Sequence, residues 1–120
     1  MSHRALSGAQ FFHGSATRMV RGSVLRPPSQ HGGEQMFPEA SHHEHVYAST
    51  ELGAAAHFAE HAHGMKEFRG QPYVYRVEPV GHLEPDHDGN PERDVRSREG
   101  FKVVDWVPKK TWSKALKERR

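Results

Sequence analysis

Three side chains that could act on a nucleotide stand far apart in the sequence, each beside a segment with strand character. His13 follows two phenylalanines, Tyr47 lies in a short apolar run, and Asp86 follows the segment 77–81. Different strands can bring an imidazole, an aromatic ring and a carboxylate into one nucleotide pocket of a small β-rich fold. The order of the three segments predicts chemistry on NAD.

Cleavage of the nicotinamide bond of NAD requires groups that hold the ribose and the nicotinamide. The His13 imidazole can hydrogen-bond a ribose hydroxyl, and Gly14 has no side chain to keep its backbone from the nicotinamide carboxamide. Tyr47 offers a flat face for the nicotinamide ring, and the Ser49 hydroxyl can brace the ribose. Each residue also has a structural interpretation: a strand-end histidine, a turn glycine, a core tyrosine and a helix-capping serine.

Asp86 is the candidate for electrostatic stabilisation of the ribose. A carboxylate beside the positive charge of an oxocarbenium-like ribose acts strongly in a partly dry pocket, and it can also orient or deprotonate the attacking hydroxyl. Glu78, Glu84 and Asp88 lie in the same charged region and compete for this role. We assign it to Asp86, with a solvated surface acid as the structural alternative.

The predicted elements are short strands separated by long loops. Strands are predicted over 9–12, 23–25, 45–48, 71–77 and 101–107. The segment 15–41 is rich in glycine, proline and serine and is predicted as a loop around the 23–25 strand. The charged segment 84–98 contains Asp88-Gly89-Asn90-Pro91 and is predicted as a flexible, lid-like loop.

Two helices are predicted, of which the first is the main one. Apolar residues recur at helical spacing after Ser49 and Thr50, either of which is a credible N-cap, and Gly64 is placed to end the helix. A short C-terminal helix follows Pro108, with Thr111 as its N-cap. The sequence therefore predicts an α+β fold.

Composition limits the size and setting of the fold. Hydrophobic residues make up 34% of the 120 positions, and the chain has 11 glycines and 8 prolines, which predicts a single domain over 1–120 with a small core. The absence of cysteine excludes disulfides, thiolate nucleophiles and cysteine-ligated zinc. No signal peptide pattern and no run of about 18 apolar residues is present, so we expect a soluble cytoplasmic protein without a membrane partner.

Five segments together resemble the rifamycin ADP-ribosyltransferase (Arr) family. They are Phe11-Phe12-His13-Gly14, Val46-Tyr47-Ala48-Ser49-Thr50 with Ala54-Ala55 behind it, Val77-Glu78-Pro79-Val80-Gly81, Gly89-Asn90-Pro91 and Arg96-Ser97-Arg98-Glu99. Each motif is loose, but their order and spacing extend over most of the chain. The resemblance implies a compact ADP-ribosyltransferase fold with a split β-core, one main helix and long loops.

The resemblance also implies an enzyme and its site. It implies NAD as co-substrate, a catalytic triad of His13, Tyr47 and Asp86, and NAD contacts from His13, Gly14, Tyr47 and Ser49. ADP-ribose would pass to a hydroxyl of a small molecule, most simply a rifamycin such as rifampin, and nicotinamide would leave. The acids around Pro85 depart from the paired acids of the family, which makes Asp88 the alternative to Asp86. A protein or nucleic-acid acceptor is the alternative to a small molecule.

Eleven histidines favour a metal-binding protein as the principal rival. His42, His43 and His45 cluster with Glu44, and another pair at 57 and 61 has the i,i+4 spacing that suits two ligands on one helix face. The helical pair lacks the glutamate that follows the first histidine in a zincin helix. Neither cluster completes a known site, so we assign no metal ligands.

Basic residues favour a third class, a binding module or a nucleic-acid-modifying relative. The last twelve residues hold six of the 17 lysines and arginines, although the net charge is only +2. A solvated terminal helix is the preferred explanation of the tail. Arg93, Arg96 and Arg98 can pair with Asp94 and Glu99 or meet the pyrophosphate of NAD. We expect NAD and a hydroxyl-bearing small molecule as partners, rather than nucleic acid.

Overall fold

A computed structural model describes residues 9–27, 44–64, 71–87 and 89–119, and within these ranges it contains seven strands and two helices. In chain order they are β1 (Phe11–Ser15), β2 (Val24–Leu25), β3 (Val46–Ser49), α1 (Leu52–Gly64), β4 (Tyr73–Pro79), β5 (Glu84–Pro85), β6 (Asp94–Ser97), β7 (Phe101–Val107) and α2 (Lys109–Arg119). The strands form one sheet in the order β2-β7-β4-β1-β3-β6-β5, and every neighbouring pair is antiparallel. The predicted α+β class is confirmed.

One face of the sheet carries the larger apolar cluster. Successive residues of a strand point to opposite faces, so each strand contributes alternate residues to it. The cluster consists of Phe11, Val46, Ala48, Tyr75, Val77, Val95, Phe101 and Val103. We refer to this side of the sheet as the Phe11 face. It draws on five strands, so this core cannot form before distant segments have paired.

The opposite face is covered by the helices near β1 and β4, and we call it the helix face. Ala55, Ala56 and Ala59 of α1 are buried together with Trp112 and Leu116 of α2. These three alanines let α1 lie close to the sheet, while the two large residues of α2 fill the space behind. The remaining part of this face, on β3, β6 and β5, carries polar residues.

Two sequence-based expectations about strands are wrong. His13 lies in the middle of β1 rather than at a strand end, because the strand extends to Ser15. The segment 84–98 is not a continuous loop, since it contributes β5 and β6 to the sheet. These strands are short and mostly polar, so local propensity does not predict them. They form because their backbone groups make hydrogen bonds to neighbouring strands of the sheet.

The predicted N-cap of α1 is also wrong, although the helix itself is confirmed. The carbonyl oxygen of Glu51 accepts the first hydrogen bond of the helix, from the amide of Ala55 at 3.3 Å, so Glu51 is the N-cap. Ser49 acts just before the helix, where its Oγ accepts a hydrogen bond from the Glu51 amide at 3.1 Å. Thr50 instead bonds the carbonyl oxygen of Arg93 through its amide and its hydroxyl.

The C-terminal helix begins earlier than predicted. The carbonyl oxygen of Pro108 accepts hydrogen bonds from the amides of Thr111 and Trp112, at 2.9 and 3.1 Å. Pro108 therefore occupies the capping position, and Thr111 lies inside the first turn. In the described ranges, neither helix is long and apolar enough to cross a membrane.

Candidate active site

The sheet opens between β1 and β3. In the described residues these strands share one pair of facing residues, Phe12 and Ser49, whereas β1 and β4 face each other along all five residues of β1. Continuing the β1–β3 register would place Gly14 opposite Tyr47. There, the carbonyl oxygen of Tyr47 instead accepts a hydrogen bond from Nδ1 of His13 at 2.7 Å. An imidazole thus replaces a backbone donor at the point where the strands separate.

The bond to Tyr47 defines the state of the His13 ring. A carbonyl oxygen only accepts, so Nδ1 carries the hydrogen and Nε2 of the neutral ring is an acceptor. Burial lowers the pKa of His13, and the bond to the Tyr47 carbonyl offsets this only in part. The ring is therefore neutral at pH 7 and presents an acceptor rather than a positive charge.

His13 and Tyr47 approach the opening from the two faces of the sheet. His13 is opposite Tyr75 in the β1–β4 register, and Tyr75 belongs to the cluster on the Phe11 face. Tyr47 alternates with Val46 and Ala48 of that same cluster, so its side chain lies on the helix face. The Tyr47 ring is half-buried, and its centroid is 6.1 Å from that of His45.

Asp86 lies two strands away from Tyr47. It follows β5 directly, and its amide donates to the carbonyl oxygen of Asp94 in β6 at 2.9 Å. Asp94 in turn faces Ser49 in β3. The strand spacing places the Asp86 backbone about 10 Å from β3, on the helix face together with Tyr47. The structure thus brings His13 and Tyr47 into contact. Asp86 lies two strands from Tyr47 and makes no hydrogen bond to His13 among the described residues.

The turn after Asp86 is packed closely. A Cβ atom on Gly89 would lie 3.1 Å from a carboxylate oxygen of Asp86 and 3.0 Å from one of Asp94. A side chain at Gly89 would therefore displace both acids. Asp88, the alternative catalytic acid, lies outside the described residues.

Gly14 and Ser49 have structural partners at the edge of the opening. A Cβ atom on Gly14 would collide with the carbonyl oxygen of Ala55 and would lie 2.7 Å from the amide nitrogen of Ala59, so α1 requires glycine there. Ser49 is buried, and besides the Glu51 amide it hydrogen-bonds the carboxylate of Asp94. Both residues fix elements that border the opening between β1 and β3.

The chain was compared with models of known protein families. The family model described as rifampin ADP-ribosyl transferase matches residues 11–112, a range that includes all seven strands. The chain belongs to the rifampin ADP-ribosyl transferase family. The resemblance seen in the sequence is thereby confirmed, and membership indicates an ADP-ribosyltransferase enzyme. A search of curated proteins found no match to the chain.

Each of the three arginines singled out in the sequence lies near an acidic side chain in this family member. Arg93 pairs with Asp94, as predicted, through Nε to Oδ1 at 2.9 Å and Nη2 to Oδ2 at 3.0 Å. Arg96 instead bonds Glu84 at 2.8 Å. Arg98 lies 3.6 Å from a carboxylate oxygen of Glu44.

The histidines weighed as metal ligands lie only partly within the described residues of this rifampin ADP-ribosyl transferase family member. No group of three or more histidines and acids suited to a metal occurs among the described residues. His45 bonds Glu84 at 3.0 Å, and His57 and His61 are exposed on α1. His42 and His43 lie outside the described residues. The lysines of the basic tail are exposed on α2, which fits a solvated helix face.

Sequence reasoning missed the pairing of His45 with Glu84. The sequence groups His45 with the preceding histidines and presents Glu84 as a competitor for the role of Asp86. The available signal was alternation, because His45, Tyr47 and Ser49 share one face of an extended segment. That signal points to Glu84 only after the segment 84–98 is known to be paired with β3 through β6.

Proposed function

We propose that this protein transfers ADP-ribose from NAD to a hydroxyl group of a rifamycin-type small molecule and releases nicotinamide. The observation that carries the proposal is the opening between β1 and β3, with His13 bonded to Tyr47 across it. An opening of this kind supports the split β-core of an ADP-ribosyltransferase. Family membership supports the reaction class.

NAD fits the chemical groups that border the opening. The neutral His13 ring offers Nε2 as an acceptor for a ribose hydroxyl. Tyr47 offers a partly exposed aromatic face to the nicotinamide ring, and its position on the helix face is fixed by the pairing of β3 with β6. The backbone of Gly14 lies where β1 leaves β3, within reach of the carboxamide in this proposal. Ser49 holds the end of β3 beside the donor.

Asp86 supplies the charge in the proposed reaction. The bond between the ribose C1′ and the nicotinamide nitrogen breaks, and its electron pair leaves with nicotinamide. The ribose becomes cationic, and the Asp86 carboxylate stabilises this charge. The acceptor oxygen then bonds C1′, and the hydroxyl proton passes to Asp86, from which it is lost to water.

Trp106 and the partly exposed Tyr73, which lie beside the buried Tyr75, support a large apolar acceptor. Tyr75 faces His13 in one direction across the sheet and Trp106 in the other. Tyr73 and Tyr75 stack with centroids 6.2 Å apart, and Trp106 is 60% exposed. Aromatic faces bind flat apolar rings well, and an exposed tryptophan is available for such contact. A rifamycin, which carries a fused aromatic ring system, suits this surface.

The function is tested by incubating the protein with NAD and rifampicin. We expect mass spectrometry to show rifampicin carrying one added ADP-ribose, together with release of nicotinamide. NAD alone should raise the melting temperature, because a ligand that binds only the folded state stabilises it. Absence of both the adduct and the stabilisation by NAD would contradict the proposal. Stabilisation without the adduct would retain NAD as donor and reject rifampicin as acceptor.

A further inference from the structure

Three polar side chains form a cluster on the helix face next to Tyr47, and we call them the Glu84 cluster. Oε1 of Glu84 accepts hydrogen bonds from Nε2 of His45 at 3.0 Å and from Nε of Arg96 at 2.8 Å. His45 is buried, with 4% of its surface exposed, and Arg96 and Glu84 are partly buried. A single carboxylate oxygen therefore fixes two side chains from different strands.

The cluster keeps Glu84 ionised. Burial raises the pKa of Glu84, but the hydrogen bond and charge of Arg96, helped by His45, lower it overall. Burial lowers the pKa of Arg96, because it disfavours the charged form. The bond to Glu84 and the proximity of Tyr47 and Asp86 outweigh burial, so the pKa of Arg96 is raised overall. The arginine thus remains a fixed cation beside two residues of the proposed site.

The register of the strands places Arg96 between the proposed site residues. Arg96 faces Tyr47 across the β3–β6 pair and faces Glu84 across the β6–β5 pair. Asp86 lies two residues beyond Glu84 and therefore on the same face of the sheet. Because its Nε is bonded to Glu84, the guanidinium has a set orientation beside Tyr47 and Asp86.

We propose that Arg96 is a positioning residue for the transfer reaction, holding the Asp86 carboxylate in place while Glu84 and His45 fix the guanidinium. The inference rests on the proposed function, in which Asp86 stabilises the cationic ribose. A carboxylate at the edge of a short strand has freedom to turn toward solvent. A fixed cation beside it opposes that movement and keeps the carboxylate directed at the ribose.

The test compares Arg96 with an exposed basic residue of α2. Arg96→Gln should lower kcat for ADP-ribose transfer by about 100-fold with little change in KM for NAD, since misplacement of a catalytic group by about 1 Å has effects of this size. Lys117→Gln removes one positive charge from an exposed side chain of α2, outside the proposed site. That control should stay within about twofold of the wild type. Glu84→Gln and His45→Gln should lower kcat in the same direction by smaller factors.

A second measurement separates positioning from a purely structural role. In an Asp86→Asn background, Arg96→Gln should cause no further loss of nicotinamide release, because it acts through the group already removed. Arg96→Lys keeps the charge without the Nε bond and should recover part of kcat. Circular dichroism and the melting temperature establish that each variant is folded.

Three results would overturn the inference alone while the wild type remains active. They are a wild-type kcat in Arg96→Gln, an equal additional loss in the Asp86→Asn background, and a raised KM for NAD with kcat preserved. The last would make Arg96 a direct ligand of NAD. If the wild type neither releases nicotinamide nor gains stability from NAD, the proposed function is wrong and the inference falls with it.

Discussion

His13 and Tyr47 are joined by a hydrogen bond of 2.7 Å from an imidazole nitrogen to a backbone carbonyl oxygen. The bond lies where β1 and β3 stop pairing. At this point the His13 side chain, and not a backbone amide, makes the hydrogen bond between the two strands. Because burial lowers the pKa of His13, the bond is made by a neutral ring. The shape of the opening is therefore coupled to the protonation of one residue.

This coupling predicts that the folded protein loses stability as the pH falls from about 7.5 to about 5.5. In the unfolded chain His13 titrates near its ordinary pKa of about 6.5, and in the folded protein its pKa is lower. Below about pH 6.5 the unfolded state binds more protons, so acid favours unfolding. The contribution of neutral His13 to the free energy of unfolding is complete above about pH 6.5 and is lost as the pH falls through the pKa of His13 in the folded protein. Urea unfolding across this range measures it.

The matched variants are His13→Gln and His57→Gln. His13→Gln should flatten the dependence of the unfolding free energy on pH, since the group that titrates is gone. His57 is exposed on α1, so His57→Gln should keep the wild-type slope. An unchanged slope in His13→Gln would show that another group causes the pH dependence.

Gly14 is predicted to be intolerant of any side chain for a steric reason. The added Cβ of Gly14→Ala would meet the Ala55 carbonyl oxygen and lie 2.7 Å from the Ala59 amide nitrogen. Both atoms belong to the helix backbone and cannot rotate away, so α1 must shift. We expect a loss of about 3 kcal/mol or more in the free energy of unfolding, measured by urea denaturation.

Gly22→Ala provides the comparison. Gly22 has a φ of 93°, and a Cβ there would have no atom within 4 Å. Its substitution should therefore cost only the backbone strain of a left-handed conformation, about 1 kcal/mol. Equal losses of unfolding free energy in Gly14→Ala and Gly22→Ala would mean that α1 moves away from β1 easily. That result would contradict the close packing of α1 on Gly14.

Asp86→Asn should remove most of the activity while leaving the fold intact. The side chain keeps its size, and the backbone bond from residue 86 to Asp94 is retained. Loss of a charge aimed at the reacting ribose should lower kcat by about 100-fold or more. Nicotinamide release measures kcat, and the melting temperature should change little. Glu92→Gln is the control, because Glu92 is an exposed acid of the adjoining turn; equal effects of the two variants would remove Asp86 from the mechanism.

The elements that sequence predicted well are those whose own residues carry the pattern. β7 was predicted with its observed bounds over 101–107, and α1 ends at Gly64 as expected. The sequence does not indicate β5 and β6, because Glu84-Pro85 and Asp94–Ser97 have little apolar character; β6 becomes a strand through pairing with β3, and β5 through pairing with β6. For β6 that information resides in β3, whose paired residues lie 45 to 51 positions earlier in the chain.

The candidate site divides in the same manner. His13, Tyr47 and Asp86 could be proposed from residue type and order, since each role needs a particular functional group. The bond from His13 to the Tyr47 carbonyl could not, because it depends on two strands separating at one residue. The link from His45 to Glu84 was equally hidden, since the two residues meet only when β5 and β6 join the sheet.

Asp94 ties the turn that follows Asp86 to the edge of the opening. Its carboxylate accepts two bonds from Arg93, one from the Asn90 amide at 3.2 Å and one from the Ser49 hydroxyl. Burial raises the pKa of Asp94, but these donors and the charge of Arg93 lower it overall. The folded protein therefore favours the ionised form of this side chain.

Asp94→Asn should destabilise the protein by about 1–3 kcal/mol at about pH 7, because partly buried donors lose a charged acceptor. The difference from the wild type should narrow as the pH falls below about 4, since the stabilisation is present above the unfolded pKa and is lost as Asp94 protonates in the folded state. Urea unfolding at both pH values measures this. Asp105→Asn breaks an ion pair whose side chains are 73% and 47% exposed, so it should have little effect. A loss for Asp94→Asn that stays constant with pH would show that shape, and not ionisation, makes this carboxylate stabilising.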